Sequence, residues 1–233
     1  MSSIDFTAFD ALTFDCYGTL IDWETGISAA LRRVLRAHCV QCDENDVLEN
    51  FGWHQAALEA GPYLSYAQVL AEALRRVGHD LGLEPAAAEV AEFSRSVGEW
   101  PAFPDSADAL QRLKERFRLG VITNCDDDLF ASTNRRLGIE FDWIVTAQQA
   151  EAYKPSLRNF ELTFKRTGIP PERILHVAQS AFHDHVPAKR LGMTTVRINR
   201  RRGRQGIGPM APAQVTPDLA VPDMRALAEL AAE

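Results

Sequence analysis

The apolar positions of this 233-residue chain change their rhythm as the sequence is read from its start. Phe9-Asp10-Ala11-Leu12-Thr13-Phe14-Asp15 is a short, largely apolar run that ends on a carboxylate. Such runs suit a strand buried on both faces of a parallel sheet. Gly18 breaks the pattern. From about residue 23 to 100 the sequence predicts helix after helix and no strand. Ile27, Leu31, Val34 and Leu35 mark one apolar stripe, and Val69, Leu70, Ala73, Leu74 and Val77 mark another at the same spacing. Gly61-Pro62 and Gly78 punctuate them, and Trp53, Tyr63 and Tyr66 read as helix-packing aromatics. After Pro101 the rhythm shortens: residues 117–123, 143–146, 174–177 and 194–198 predict four short strands. Helical segments near 105–115, 127–137, 157–168 and 183–191 lie among them.

Strand-helix alternation of this kind implies an α/β fold, a Rossmann-like parallel sheet covered by helices on both faces. Sites in such sheets lie at the carboxyl ends of the strands. The helical block then becomes a cap inserted above that edge, with residues 1–22 and 101–233 forming the core and 23–100 the cap. Residues 199–217, rich in Gly, Pro and Arg, predict a surface loop.

Composition narrows the classes of function. A net charge of −7 argues against general affinity for nucleic acid or an anionic membrane. The run Arg200-Arg201-Arg202-Gly203-Arg204 reads as a solvated loop in so acidic a chain, or as a lure for an anionic substrate. No stretch approaches the ~20 apolar residues of a membrane span. Residues 1–10 lack the basic start and apolar run of a secretory signal, so a cytoplasmic address is expected. Cys39 and Cys42 form a lone C-x-x-C without the second ligand pair of a closed zinc site. Asp126-Asp127-Asp128 is read as acidic residues stabilising a helix start, not as a calcium loop.

Four strand ends carry chemical groups: Asp15 after the first, Thr123-Asn124 after the second, Lys154 beyond the third and Asp184 beyond the fourth. If the sheet forms, they converge on one crevice, as a covalent-hydrolysis site requires. Asp15-Cys16-Tyr17-Gly18-Thr19-Leu20, Thr123-Asn124, Lys154-Pro155 and the segment around Asp184 resemble the four motifs of the haloacid dehalogenase superfamily, over the whole chain. The superfamily's phosphatases place a second Asp two residues after the nucleophile, where this chain has Tyr17. They also bind magnesium through a motif-four carboxylate pair, and Gln179 stands at the first of those places. A neutral amide is a poor partner for a hard divalent cation.

The Asp-x-Tyr-Gly-Thr-Leu form is similar to that of the L-2-haloacid dehalogenases. The resemblance implies a reaction without metal or cofactor, in which Asp15 attacks the carbon bearing the halogen of a small carboxylic acid and water hydrolyses the ester. Thr19, Thr123 and Asn124 would orient Asp15 or hold the substrate carboxylate. Lys154 would keep the Asp15 pKa low. Asp184, with His183, would position Lys154 or activate water. Tyr17 and Ser180 are assigned to the substrate pocket. The resemblance also implies dimerisation through the cap helices.

Three departures bear on the leaving group. Gln179-Ser180-Ala181 replaces the family's Ser-Ser-Asn, and Phe160 replaces a Tyr six residues after the Lys. Trp53-His54-Gln55 stands where an early cap Arg is expected, which makes His54 a candidate donor to the leaving group. A leaving group other than halide, such as an amine in a strained ring acid, is the alternative. His183 and His185 flank Asp184 but would point to different faces of a helix, an awkward geometry for a shared metal.

Overall fold

A computed structural model describes residues 4–200 and 215–232. Among these residues six strands, β1 (Ala11–Phe14), β2 (Arg118–Thr123), β3 (Trp143–Thr146), β4 (Ile174–Ala178), β5 (Thr194–Ile198) and β6 (Leu219–Val221), form one sheet in the order β3-β2-β1-β4-β5-β6. Every pairing is parallel. β1 lies in the middle, in register with β2 through Thr13↔Gly120 and with β4 through Thr13↔His176. All four residues of β1 are buried, as a continuous apolar run requires of a strand covered on both faces. The sixth strand and the last helix were not anticipated. Leu219–Val221 is only three residues long, too short for a period to show.

Among the described residues ten α-helices accompany the sheet: α1 (Trp23–Ala37), α2 (Glu44–Glu59), α3 (Tyr66–Asp80), α4 (Ala87–Arg95), α5 (Ser106–Lys114), α6 (Asp127–Leu137), α7 (Ala147–Ala150), α8 (Arg158–Thr167), α9 (Val186–Arg190) and α10 (Met224–Ala232). The first four follow β1 without an intervening strand. Their predicted stripes are the buried ones, Ile27, Leu31 and Val34 on α1 and Val69, Leu70, Ala73, Leu74 and Val77 on α3, with Leu35 half-buried at the edge of the first. Phe51 of α2 meets Phe93 of α4 edge to face, with ring centroids 5.8 Å apart. Each fully buried ring of this size contributes about 2–3 kcal/mol. Gly26 lets α1 approach Trp100 closely, since a Cβ there would sit 2.3 Å from the indole.

Trp53 does not join this packing; it is 76% exposed. It stands two positions beyond the buried Phe51, about 200° around the helix. Tyr63 instead lies against Tyr153, at 5.6 Å between ring centroids.

The helical block is tied to the sheet's carboxyl edge by hydrogen bonds from its backbone. The N–H groups of Tyr66 and Ala67 donate to the two oxygens of Asp126, at 2.8 and 2.9 Å. Asp126 therefore serves the first turn of α3, while Asp127 and Asp128 occupy the first turn of their own helix, α6. The Tyr153 hydroxyl donates to the Leu64 carbonyl from the same edge, at 2.9 Å.

Candidate active site

β1 delivers Asp15 to the centre of the carboxyl edge, and the chain then turns through Gly18 at φ +95°, a conformation natural to glycine. The turn brings Thr19 back, so that its hydroxyl donates to Asp15 Oδ2 at 2.7 Å while accepting the Gln179 N–H at 3.0 Å. Arg200 fixes this loop from behind. Its guanidinium donates to the Thr19 carbonyl at 2.9 Å and to both oxygens of Asp105 at 2.7 and 3.0 Å, and lies 4.1 Å from the Phe103 ring centroid. Asp105 also accepts the Met224 N–H that opens α10. Burial would raise the Asp105 pKa, but Arg200 outweighs it and holds the carboxyl below its usual value. Arg200 is thus a structural cation; Arg201, Arg202 and Arg204 lie outside the described residues.

Removal of Arg200 leaves an unpaired carboxylate where both side chains are at most 10% exposed. Arg200→Ala is expected to destabilise the fold by about 3 kcal/mol. Calorimetry should show the melting midpoint falling by roughly 6–12 °C. An unchanged midpoint would show that the pair holds nothing in place.

Lys154 is the hub of the site. All three of its ammonium hydrogens have acceptors: Asp15 Oδ1 at 2.8 Å, Asp184 Oδ1 at 2.7 Å and the Ile122 carbonyl at 2.9 Å. Burial alone would lower its pKa, but Asp15 and Asp184 drive it well above the usual lysine value. Asn124 braces the Lys154 backbone: Oδ1 accepts the Lys154 N–H at 2.7 Å and Nδ2 donates to the Lys154 carbonyl at 3.2 Å. It is a positioning residue for Lys154, while also lining the cavity.

The two carboxylates share one ammonium unequally. For Asp184, burial raises the pKa but Lys154 and His176 more than offset it, and the group is held well below the ordinary value. For Asp15, burial is the largest influence and the nearby Asp184 adds to it, so its pKa lies above the ordinary value in spite of Lys154 and Thr19. The expectation that Lys154 keeps the Asp15 pKa low is corrected here: desolvation and a like charge win.

His176, on β4, completes the cluster and was missed in the sequence. Its Nε2 lies 3.1 Å from Asp184 Oδ1 and its Nδ1 lies 2.9 Å from the Thr13 hydroxyl. Because an ionised Asp184 only accepts, Nε2 carries the hydrogen, while Nδ1 shares a hydrogen bond with the Thr13 hydroxyl. A histidine inside an otherwise apolar strand, beside the Thr13 of β1, was the available signal.

His183 and Ser180 line the cavity, on and just before the wide turn Ala181–His185. The Ser180 oxygen accepts the His183 N–H at 3.1 Å and shares a hydrogen bond with its Nδ1 at 3.2 Å. Burial pushes the His183 pKa down to about 4, so the ring is neutral at pH 7. His185 points elsewhere, with Nε2 3.0 Å from the Ala178 carbonyl. The Tyr17 ring lines the cavity, but its hydroxyl is engaged by Thr133 at 2.9 Å and Cys125 at 3.4 Å. Burial raises its pKa well above 10, which removes it as a base near neutrality.

Thr19 reaches the cavity only through Asp15, and three further expected residues do not meet it. Thr123 is fully buried, and its hydroxyl has no hydrogen-bond partner among the described residues. Phe160 is buried in a separate apolar cluster beneath the sheet, edge to face with His176 at 5.2 Å. His54 turns towards α3, where its Nε2 pairs with Asp80 at 2.7 Å. In their place α2 presents Gly52, Gln55, Ala56 and Glu59 to the cavity, one helical face at i, i+3, i+4 and i+7. Trp23 and Tyr66 complete the roof above a space of about 100 Å³.

The oxygen ligands of a divalent cation are not assembled here. Both Asp15 oxygens already accept hydrogen bonds, and Gln179 offers an amide where a second carboxylate would stand. Among the described residues no other group of three acidic, His or Cys side chains could hold a metal.

A parallel α/β sheet with a buried Asp-Lys-Asp cluster at its carboxyl edge is the frame of a hydrolase centred on a carboxylate. The chain belongs to the haloacid dehalogenase-like hydrolase family, whose model matches residues 9–181. The (S)-2-haloacid dehalogenase of Pseudomonas putida is 29% identical over 203 residues, covering 82% of this chain and 85% of that protein. The L-2-haloacid dehalogenase of Xanthobacter autotrophicus with chloropropionic acid covalently bound shares the fold at a TM-score of 0.80 and 21% identity, covering 95% of this chain and 98% of that one. A magnesium-bound putative hydrolase from Bacillus subtilis shares it at 0.79 and 18% identity, covering 97% and 99%. The fold therefore accommodates both kinds of site, and the residues must choose. No helix among the described residues is long and apolar enough to cross a membrane.

Proposed function

We propose that this protein is a metal-independent hydrolase of small 2-substituted carboxylic acids, in the first place an (S)-2-haloacid dehalogenase acting through an ester on Asp15. The observation that carries the reading is the Asp15 carboxylate at the cavity floor, its oxygens held by Thr19 and Lys154. An Asp15 oxygen attacks C2 as the carbon-halogen bond breaks and its electron pair leaves with the halide. Water then attacks the ester carbonyl, releasing the 2-hydroxy acid and restoring Asp15. Lys154 neutralises charge on the Asp15 oxygen in both steps. Asp184, held at low pKa, is a weak base, so its part is to hold Lys154. Neutral His183 is the better acceptor for the proton of the attacking water. The Ser180 hydroxyl supports the substrate carboxylate.

Similarity to the Pseudomonas putida enzyme supports the substrate class, and Gln179 and the engaged Tyr17 weigh against phosphoryl transfer. We also propose a cytoplasmic location, in which buried thiols such as Cys16 and Cys125 would stay reduced. The test is halide release from (S)-2-chloropropionate, (S)-2-bromopropionate, chloroacetate and fluoroacetate in the presence of chelator. Release at an undiminished rate is expected. Activity that vanishes with chelator and returns with magnesium would defeat the metal-free route.

A further inference from the structure

Among the described residues Glu59 is the one carboxyl on the roof of the cavity. It ends α2, on the same face as Gly52, Gln55 and Ala56, with Lys154, Asp15 and Asp184 on the floor. Gln55 Nε2 donates to Glu59 Oε1 at 2.7 Å. Nothing at the floor answers its charge directly, because each hydrogen of Lys154 already has an acceptor. An ionised Glu59 would leave three carboxylates against a single ammonium, in a cavity that must admit an anion and release another. Among the described residues the wall offers no free cation for the departing halide, since His183 is neutral and His54 faces Asp80.

From this arrangement we propose that Glu59 acts in its protonated form as the hydrogen-bond donor to the leaving halide. The inference rests on the reading that Asp15 displaces an anion. As the Asp15–C2 bond forms and the carbon-halogen bond breaks, the Glu59 O–H points at the halide and keeps its own proton. The proton released overall comes from the water that cleaves the ester.

Burial raises the Glu59 pKa to about 7, with Gln55 and Lys154 opposing it, so the donor form is present at neutral pH. The groups facing it are Gln55 on its own helix, Tyr66 on α3, and Tyr153, Lys154, His183, Asp15 and Asp184 from the sheet edge. Burial lifts both tyrosines far above neutrality, and Lys154 stays charged. The titration of Glu59 near pH 7 therefore changes the charge that the halide meets at the roof.

Two variants and two readouts test the proposal. With (S)-2-chloropropionate, kcat/KM should fall about tenfold per pH unit above Glu59's titration. Glu59→Gln keeps a neutral donor, so it should retain activity within about tenfold at pH 6 and lose the alkaline limb. Glu59→Ala should cost on the order of 10²-fold. Bromide binding followed by calorimetry needs no turnover: affinity should rise as pH falls through about 7 in the parent and stay flat in Glu59→Gln. An alkaline limb that persists in Glu59→Gln, or bromide affinity insensitive to pH in the parent, would overturn the role. Loss of activity in Glu59→Gln equal to that in Glu59→Ala would overturn it too, and would favour an ionised Glu59 paired with an amine-bearing substrate. If the parent releases no halide, the substrate reading fails while the bromide result still decides about Glu59.

Discussion

Asp15→Asn is expected to abolish steady-state turnover, by on the order of 10⁴-fold or more, without loss of the fold. The amide cannot form the ester, and no other group at the cavity floor replaces it, because Asp184 is held by Lys154 and His176. The fold survives for a reason visible in the titration of the site. A carboxyl whose pKa is raised in the folded state favours the protonated form there, so ionising it costs stability once pH exceeds the unfolded value. Asp15 is such a group. Exchanging it for a neutral amide of the same size should leave the melting midpoint unchanged or slightly higher, with Asp184 still holding Lys154. The parent's activity should also show an acid limb, gained as pH rises through an Asp15 pKa above the ordinary carboxylate value of 3.8. Scanning calorimetry and a pH series of initial rates check both points. Residual turnover near the parent's rate would mean that Asp15 is not the nucleophile.

Lys154→Met should strongly destabilise the fold. It removes the ammonium from between two carboxylates whose side chains are 9% and 1% exposed, leaving both without the lysine that neutralises them. Stripping one partner from a buried ion cluster costs about 3–5 kcal/mol. In a chain of this size that is a fall in melting midpoint of roughly 6–20 °C. The pH dependence identifies the cause. In the parent, Asp184 has a depressed pKa, so its contribution is complete above 3.8 and is lost as pH falls through the lower folded-state value. In the variant the carboxylates repel each other at neutral pH, and protonation of one relieves the repulsion. The stability gap between parent and variant should thus be widest near pH 7 and narrow below about pH 5. A gap independent of pH would assign the loss to packing alone. Activity should disappear as well, since nothing else neutralises the Asp15 oxygen.

Asp15, Asn124, Lys154 and Asp184 could be placed together from the sequence because each follows a strand of a parallel sheet, and such a sheet brings strand ends to one edge. The helical block was harder to read. α2 buries Val47, Phe51 and Leu58, but alanines at 56 and 57 and glycine at 52 blur the boundary of its apolar stripe. Its rotation against the sheet edge was therefore not fixed by pattern. Adjacent helical residues differ by about 100°, which separates His54, turned to Asp80, from Gln55, turned to the cavity. Phe160 failed for a similar reason: counting six residues from Lys154 ignores that α8 presses this position against β4 and His176.

By itself the sequence determined the parallel α/β frame, the position of the helical block after β1, and the order of the chemical groups along the sheet edge. These follow from local periodicity and from strand ends, which are properties of short segments. Only the tertiary structure decided that Lys154 has no hydrogen left to donate, that His176 stands behind Asp184, that Arg200 braces the Thr19 loop, and that Glu59 rather than His54 faces the reacting groups. Those facts depend on rotations and approach distances between segments up to 181 residues apart, set by packing of the whole chain.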